Sequence, residues 1–114
     1  MSLLLTDTAR QDIREILNLT LEEFGQLQAR RYAALMDRLF ALISEAPMRP
    51  GSRPRDEVRS GLRSMSMSAL AEKQHAASHT VYYKTEYGDG APRVIVYRIL
   101  HERMDPERHL GDLP

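Results

Sequence analysis

Two amphipathic helical patterns, separated by only a few residues, most constrain how this chain can fold. Apolar residues recur every three or four positions over residues 9–24 and again over residues 29–43. Gly25 is a natural end for the first helix, and Pro47 stops the second because proline lacks a backbone N–H. Helices joined by about three residues must form an antiparallel hairpin, and their combined apolar face then needs a sheet to cover. The first face comprises Ala9, Ile13, Ile16, Leu17, Thr20 and Phe24, with Asp12 off it, and the second comprises Ala29, Tyr32, Met36, Leu39, Phe40 and Ile43.

Segments rich in strand-forming residues lie on both sides of the helical hairpin. The first is the short apolar run Leu3–Leu5, which is ended by Thr6-Asp7-Thr8, a sequence that suits a strand leading into a helix N-cap. After the helices, residues 61–67, 80–87 and 93–101 have strand composition, and a turn with two glycines joins the last two in a hairpin. The order is therefore one strand, two helices and three further strands.

This order predicts an α+β fold in a single domain that spans residues 1–114. In its simplest arrangement, the N-terminal strand joins the edge of a mainly antiparallel sheet of about four strands, and the helical hairpin packs on one face. Residues 47–60 are predicted to form a loop and residues 69–78 an irregular or helical insertion. Pro106 starts a short terminal helical turn or ends all regular structure.

The composition is that of an ordinary globular domain and excludes several functional classes. The chain has no cysteine, which excludes a disulfide framework, thiol catalysis and a zinc–thiolate site. No apolar stretch approaches the roughly 18 residues of a membrane span. The N-terminus lacks the basic start of a secretory signal, so we expect a cytoplasmic protein with no membrane partner. The formal net charge of zero gives no general attraction to nucleic acid.

Motifs that would identify an enzyme or a cofactor site do not occur in this sequence. There is no phosphate-binding glycine loop, no His-Glu-x-x-His pair and no serine nucleophile motif, so we predict no metal site, and no residue is singled out as catalytic. His75 and His79 are four residues apart, but strand formers begin directly after His79. We expect His79 to be a structural hydrogen-bond partner.

Residues 49–63 form a basic segment in an otherwise neutral protein. Taken alone, such a pattern is typical of a solvated loop that merely carries charge. The segment contains Arg49, Arg53, Arg55, Arg59 and Arg63 against Asp56 and Glu57.

Arg98 interrupts the apolar run of the last strand. An unpaired buried guanidinium is costly, so Arg98 either pairs with an internal carboxylate or contacts a partner. His101 ends the same strand, where it could reach a phosphate or an acidic partner together with Arg98 and Arg103, or could simply cap the strand end. Met104 follows among charged residues, a position that favours a docking surface for another chain.

Three stretches together resemble the ParE branch of the RelE/ParE toxin family. The first runs from Leu5 to Tyr32 and the second is Arg55–Ser64. The third and most specific is Ile95-x-x-Arg98-Ile-Leu-His101-x-x-Met104-Asp105-x-x-x-His109-Leu110. The stretches cover nearly the whole chain in the family's order. The chain departs from the family pattern at Leu70–Ser78, where the family usually makes a tight turn.

The resemblance implies the toxin of a type II toxin–antitoxin pair. Such a toxin would inhibit DNA gyrase, would be neutralised in a hetero-oligomer by a ParD-like antitoxin, and would need no cofactor and no sequence-specific contact with nucleic acid. The matched terminal motif implies a binding role for Arg98, His101, Arg103, Met104 and Asp105. With Arg59 and Arg63 of the basic segment, these are the predicted target- or antitoxin-binding residues.

Two alternatives remain open at this point. One is a RelE-like ribosome-dependent mRNA endonuclease, for which Arg63, Arg98, His101 and Tyr97 would supply part of the chemistry. The zero net charge and the presence of only two lysines disfavour binding to ribosomal phosphates. The other alternative is an inactive toxin-like module that acts only in complex with its antitoxin. The choice between an enzyme and an inhibitor is therefore not made by the sequence.

Overall fold

The predicted helical hairpin forms, with a shorter connection than expected. In this computed structural model, which describes residues 1–70 and 79–111, helix α1 spans Asp7–Phe24 and helix α2 spans Gln26–Glu45. The Thr6 hydroxyl accepts a hydrogen bond from the Ala9 N–H at 3.0 Å and so caps α1. Gly25 alone separates the helices and has a φ of 89°, which glycine adopts without a steric penalty. The prediction of about three connecting residues was wrong, because one left-handed glycine is enough to reverse the chain.

The sheet has one more strand than predicted. In the described part of the chain its order is β1-β5-β4-β3-β2; β1 runs parallel to β5 and the other neighbours are antiparallel. The additional strand, β2, forms within the predicted loop 47–60 and pairs with β3. Its proline is tolerated because β2 lies at the sheet edge. The strands are β1 (Ser2–Leu5), β2 (Ser52–Pro54), β3 (Arg63–Ser66), β4 (His79–Glu86) and β5 (Arg93–His101).

The main core lies between the helices and one face of the sheet. The predicted apolar face of α2 is confirmed, since four of its six residues are buried there. Two predictions for α1 were wrong: Asp12 is buried with 7% exposure, and Phe24, at the end of the helix, is 69% exposed. The core consists of Ala9, Tyr32, Met36, Leu39, Ile43, Met65, Met67, Val81, Tyr83, Val94, Val96 and Ile99.

A second, smaller cluster covers the other face of the sheet. Alternate residues of a strand point to opposite faces, so Tyr82 and Leu100 point away from the main core. The buried residues of this cluster are Leu62, Tyr82, Leu100 and Leu110. Leu110 belongs to the short helix α3 (Pro106–Leu110), which confirms the terminal helical turn predicted at Pro106. The predicted α+β class is thus confirmed, with a mixed sheet between the hairpin and this cluster.

The predicted insertion lies mostly outside the described residues. Met67–Ala69 form one turn of 3₁₀ helix after β3, and Leu70 packs against the main core. Residues 71–78, which include His75, fall outside the described part of the chain. No described helix is long and apolar enough to cross a membrane.

Candidate functional site

A cleft of about 960 Å³ opens between α1, the start of α2 and the end of β5. It exists because β1 pairs with β5 only as far as Leu5 opposite Val96, after which the chain turns into α1. The remaining edge of β5, from Ile99 to His101, therefore faces α1, and no strand of the described residues pairs with it there. We call this space the α1–β5 cleft.

At the base of the α1–β5 cleft, Asp12 and Arg98 form a two-pronged ion pair. The Arg98 Nε and Nη2 donate to the two carboxylate oxygens of Asp12 at 2.8 and 2.9 Å. The Ile99 N–H donates to the same carboxylate at 3.0 Å, so Asp12 replaces the missing strand partner of β5. The Asp12 hydrogen bond, together with the nearby carboxylates, raises the pKa of Arg98 despite burial. Of the two interpretations of Arg98, the internal carboxylate is the one observed.

A β-bulge in β5 directly precedes Arg98. Tyr82 of β4 lies opposite Arg98, whereas Tyr83 lies opposite Val96, so Tyr97 is the extra residue of β5. Bulges re-aim the side chains that follow them. The Thr6 hydroxyl also donates to the Tyr97 carbonyl at 2.9 Å, which fixes the start of α1 against the bulge.

Two imidazoles form the inner wall of the cleft. The Tyr32 hydroxyl lies 2.6 Å from His79 Nδ1, and the rings of His79 and His101 meet edge to face with centroids 5.3 Å apart. Burial, followed by the proximity of His101, lowers the pKa of His79 to about 4, although Asp12 opposes the shift. His101 Nδ1 accepts the Arg103 N–H at 3.1 Å, so a neutral His101 carries its proton on Nε2. The expectation that His79 is a structural hydrogen-bond partner is confirmed.

The outer wall of the cleft is apolar and acidic. Leu19, Phe24 and Met104 are 55%, 69% and 45% exposed, which is unusual for large apolar side chains that line one space. Among the described lining residues, the carboxylates of Asp12, Glu15 and Glu23 face one guanidinium, that of Arg98. With the histidines counted as neutral, the described lining has a net charge of −2.

The basic segment lies at the other end of the sheet and has different chemistry. Arg55 pairs with Glu57 at 2.8 Å, but the other bonded arginines donate to uncharged oxygens, and Arg53 is exposed on β2. Five arginines against two carboxylates leave residues 49–63 with a net charge of +3. The neutral acceptors are the Leu42 carbonyl for Arg49, the Gly111 carbonyl for Arg59 and the Ser52 hydroxyl for Arg63.

The predicted site residues fall into separate places. Arg98, His101 and Met104 come together in the α1–β5 cleft. Of their neighbours, Arg103 is exposed beside the cleft, and the Asp105 carboxylate caps α3 by accepting the Glu107 N–H at 3.1 Å. Arg59 and Arg63 belong to the basic segment and do not line the cleft.

Comparison with known proteins decides the family. Residues 3–106 match the family described as ParE toxin of type II toxin-antitoxin system, parDE. This chain belongs to the ParE toxin family. Two curated relatives agree: Toxin ParE1 of Mycobacterium tuberculosis is 34% identical, over 94% of this chain and 95% of its own length. Toxin ParE of Escherichia coli is 33% identical, over 96% of this chain and 92% of its own length.

Solved structures agree with the ParE assignment at the level of the fold. A chain of the chromosomal ParDE TA system from P. aeruginosa has a TM-score of 0.66 and 17% identity, over 89% of this chain and 95% of its own. The YoeB/ParE toxin from Agrobacterium tumefaciens has a TM-score of 0.60 and 16% identity, over 89% of this chain and 98% of its own. The identities are too low to carry more than the fold.

Sequence reasoning missed the α1 side of this ParE cleft. Asp12 was placed off the helix face, and Glu15, Leu19 and Glu23 were not singled out. A signal was present, because Glu15, Leu19 and Glu23 recur every fourth residue and so form one stripe along α1. The stripe crosses the border between the apolar and polar faces, which is why a simple division of the helix into two faces hides it.

Proposed function

We propose that this ParE-family chain is the toxin of a type II toxin–antitoxin pair in the bacterial cytoplasm, that it inhibits DNA gyrase, and that a ParD-like antitoxin neutralises it. The observation that carries the proposal is the family match over residues 3–106. One of the similar structures comes from a ParDE TA system, which supports an antitoxin partner.

The α1–β5 cleft is the proposed antitoxin surface. It combines exposed apolar side chains, of which Phe24 is the most exposed, with the end of β5 beyond its pairing with β1. Apolar grooves beside a sheet edge suit extended or helical peptide segments. Of the predicted residues, Met104 and His101 line the cleft and would contact an antitoxin segment directly, and Arg103 is exposed beside the cleft. Arg98 holds β5 to α1 through Asp12.

The basic segment is the proposed target surface. Arginines that donate to neutral oxygens keep their full positive charge, so Arg59 and Arg63 still attract phosphates although both are hydrogen-bonded. Gyrase acts on DNA, so a toxin that stalls it meets a phosphate-rich complex. The contact is with the backbone and needs no recognition of base sequence.

The endonuclease alternative is less favoured because its four candidate residues do not converge. Arg63 lies on β3, two strands from β5, and bonds to Ser52. Tyr97 packs with the smaller cluster under α3, and burial raises its pKa, which weakens it as an acid. His101 lines the cleft with Arg98, whose guanidinium is held by Asp12. General acid–base cleavage needs these groups around one phosphate.

The proposal is tested with the chain purified free of antitoxin. Gyrase supercoiling and DNA cleavage are assayed beside translation in a cell extract. We expect loss of supercoiling and accumulation of cleaved DNA, with translation unchanged. Blocked translation with unaffected gyrase would favour the endonuclease, and no effect in either assay would favour the inactive module.

Charge-reversal variants separate the two surfaces. Arg53→Glu alters an exposed residue of the basic segment and should weaken gyrase inhibition at least about tenfold, because it places a negative charge among phosphate contacts. Arg38→Glu, on the exposed side of α2, changes the net charge equally and should leave inhibition intact. Equal losses in both variants would mean that only net charge matters.

A further inference from the structure

The α1 wall of the cleft carries a regular pattern of charged and apolar residues. Glu15 and Glu23 are eight residues apart, which separates their backbone positions by about 12 Å along a helix. Leu19 lies halfway between them and is 55% exposed. The wall therefore alternates acidic, apolar and acidic over two turns.

Neither carboxylate is neutralised by a cation in the described structure. Glu15 accepts a hydrogen bond from the Gln11 amide at 3.0 Å, which leaves its charge in place. The Glu15 carboxylate is close enough to help raise the pKa of Arg98. The Arg98 Nε and Nη2, however, both donate to Asp12. Burial keeps His79 uncharged at neutral pH, so no positive charge on that ring balances the wall. The cleft is thus apolar at its centre and negative along one side.

We infer that Glu15 and Glu23 determine the specificity of the α1–β5 cleft, selecting an amphipathic segment that carries two Lys or Arg residues along one edge of its apolar ridge, one for each glutamate. The apolar ridge packs against Leu19 and Phe24, and each basic residue meets one glutamate. The inference rests on the proposed function only in naming the antitoxin as the owner of this segment.

The spacing of the two glutamates fixes the spacing of the partner's basic residues. A helix laid along α1 matches about 12 Å with basic residues seven or eight positions apart. An extended segment covers the same distance in about four residues. Exposed ion pairs are weak, so the two pairs together should alter affinity by about tenfold.

The probes are two synthetic helical peptides with the same apolar stripe. One carries lysines seven residues apart beside the stripe, and the other carries glutamates at the same places. In fluorescence anisotropy with the full chain, we expect the lysine peptide to bind about tenfold more tightly at low salt, with a smaller ratio at high salt. Equal binding of the two peptides, or binding of neither, would overturn the inference.

A matched set of variants assigns the effect to the two positions. Glu15→Gln combined with Glu23→Gln should abolish the preference for the lysine peptide. Glu22→Gln removes one negative charge, next to Glu23 but outside the cleft lining, and should keep the preference. An equal loss in Glu22→Gln would reduce the effect to net charge and overturn the inference.

The gyrase assay distinguishes failure of this inference from failure of the proposed function. The double glutamine variant should still inhibit gyrase, because neither glutamate lies in the basic segment. A chain that keeps the peptide preference but does not inhibit gyrase would overturn the proposed function alone. A chain that inhibits gyrase but binds both peptides equally would overturn the inference alone.

Discussion

The α1–β5 cleft and the basic segment both contain arginines, yet they treat positive charge in opposite ways. In the cleft, Arg98 donates to a buried carboxylate, so its charge is cancelled and the acidic α1 wall dominates. In the basic segment, Arg59 and Arg63 donate to a carbonyl and a hydroxyl, so their charge remains. A hydrogen bond fixes an arginine in both places, but only an anionic acceptor removes its charge from the surface. The number of arginines in a region therefore does not predict the sign of its surface.

Removal of the cleft carboxylate has the largest expected effect. Asp12→Ala leaves the half-buried Arg98 guanidinium and the Ile99 N–H without their acceptor, and we expect a loss of about 3 kcal/mol in the free energy of unfolding. Urea unfolding measures the loss. Glu15→Ala, on the exposed side of the same helix, is the control and should cost less than about 0.5 kcal/mol. Similar losses for both would mean that the ion pair does not stabilise the fold.

Truncation of the α3 anchor comes second. Leu110 is fully buried against Leu62, Tyr82 and Leu100, and Leu110→Ala should cost about 2 kcal/mol, near the low end for leucine because a terminal helix can relax. The thermal midpoint and urea unfolding check this value. His109→Ala, an exposed neighbour on α3, should change little. If Leu110→Ala is as mild as His109→Ala, the smaller cluster is not a second core.

A pH effect of about 1 to 2 kcal/mol is expected third, from His79 in the cleft. Its pKa of about 4 lies below the ordinary value of 6.5, so the unfolded chain binds more protons between these values. The contribution is therefore fully present above about pH 6.5 and is lost as the pH falls toward 4. The half-buried ring is partly screened by solvent, which keeps the loss below the full value of the shift.

The difference in urea midpoint between pH 7 and pH 4.5 measures the histidine effect. His79→Gln should reduce this difference, and His109→Gln, on the exposed surface of α3, should not. Equal pH dependence in the two variants would mean that carboxylates elsewhere account for the acid sensitivity.

The smallest effect is expected in the basic segment. Ser52→Ala removes the hydroxyl that accepts from Arg63 at 2.8 Å, and should cost about 1 kcal/mol because that acceptor is uncharged. Comparison of Ser52→Ala with Asp12→Ala tests directly whether the two regions differ in the charge of their acceptors. A loss for Ser52→Ala as large as that for Asp12→Ala would contradict the distinction.

Prediction from the sequence worked best where a pattern was local and repeated. The face of α2, a helix cap within residues 6–8 and the β4–β5 hairpin follow from residue spacing, residue type and turn residues, and all are present. The strand β2 was missed because three residues with a proline carry no strand pattern of their own. Pairing with β3 makes the strand, and that pairing is not local.

The site was predicted on one side only. Arg98, His101 and Met104 were singled out because they interrupt or follow a strand, and they do meet in the cleft. Asp12 was not predicted as a site residue, because a carboxylate among the charged residues of a helix is ordinary until its partner is known. That partner is 86 residues away in the sequence.

The sequence by itself determined the elements, their order and the family motif, because these depend on neighbouring residues and on spacing. It also raised the question posed by Arg98. The tertiary structure decided that Asp12 is the carboxylate that pairs with Arg98, and which arginines donate to uncharged acceptors. It also decided where the pairing of β1 with β5 ends, which places the end of β5 at a cleft. These features depend on contacts between distant residues, and a charge acquires its effect only from the acceptor that folding brings to it.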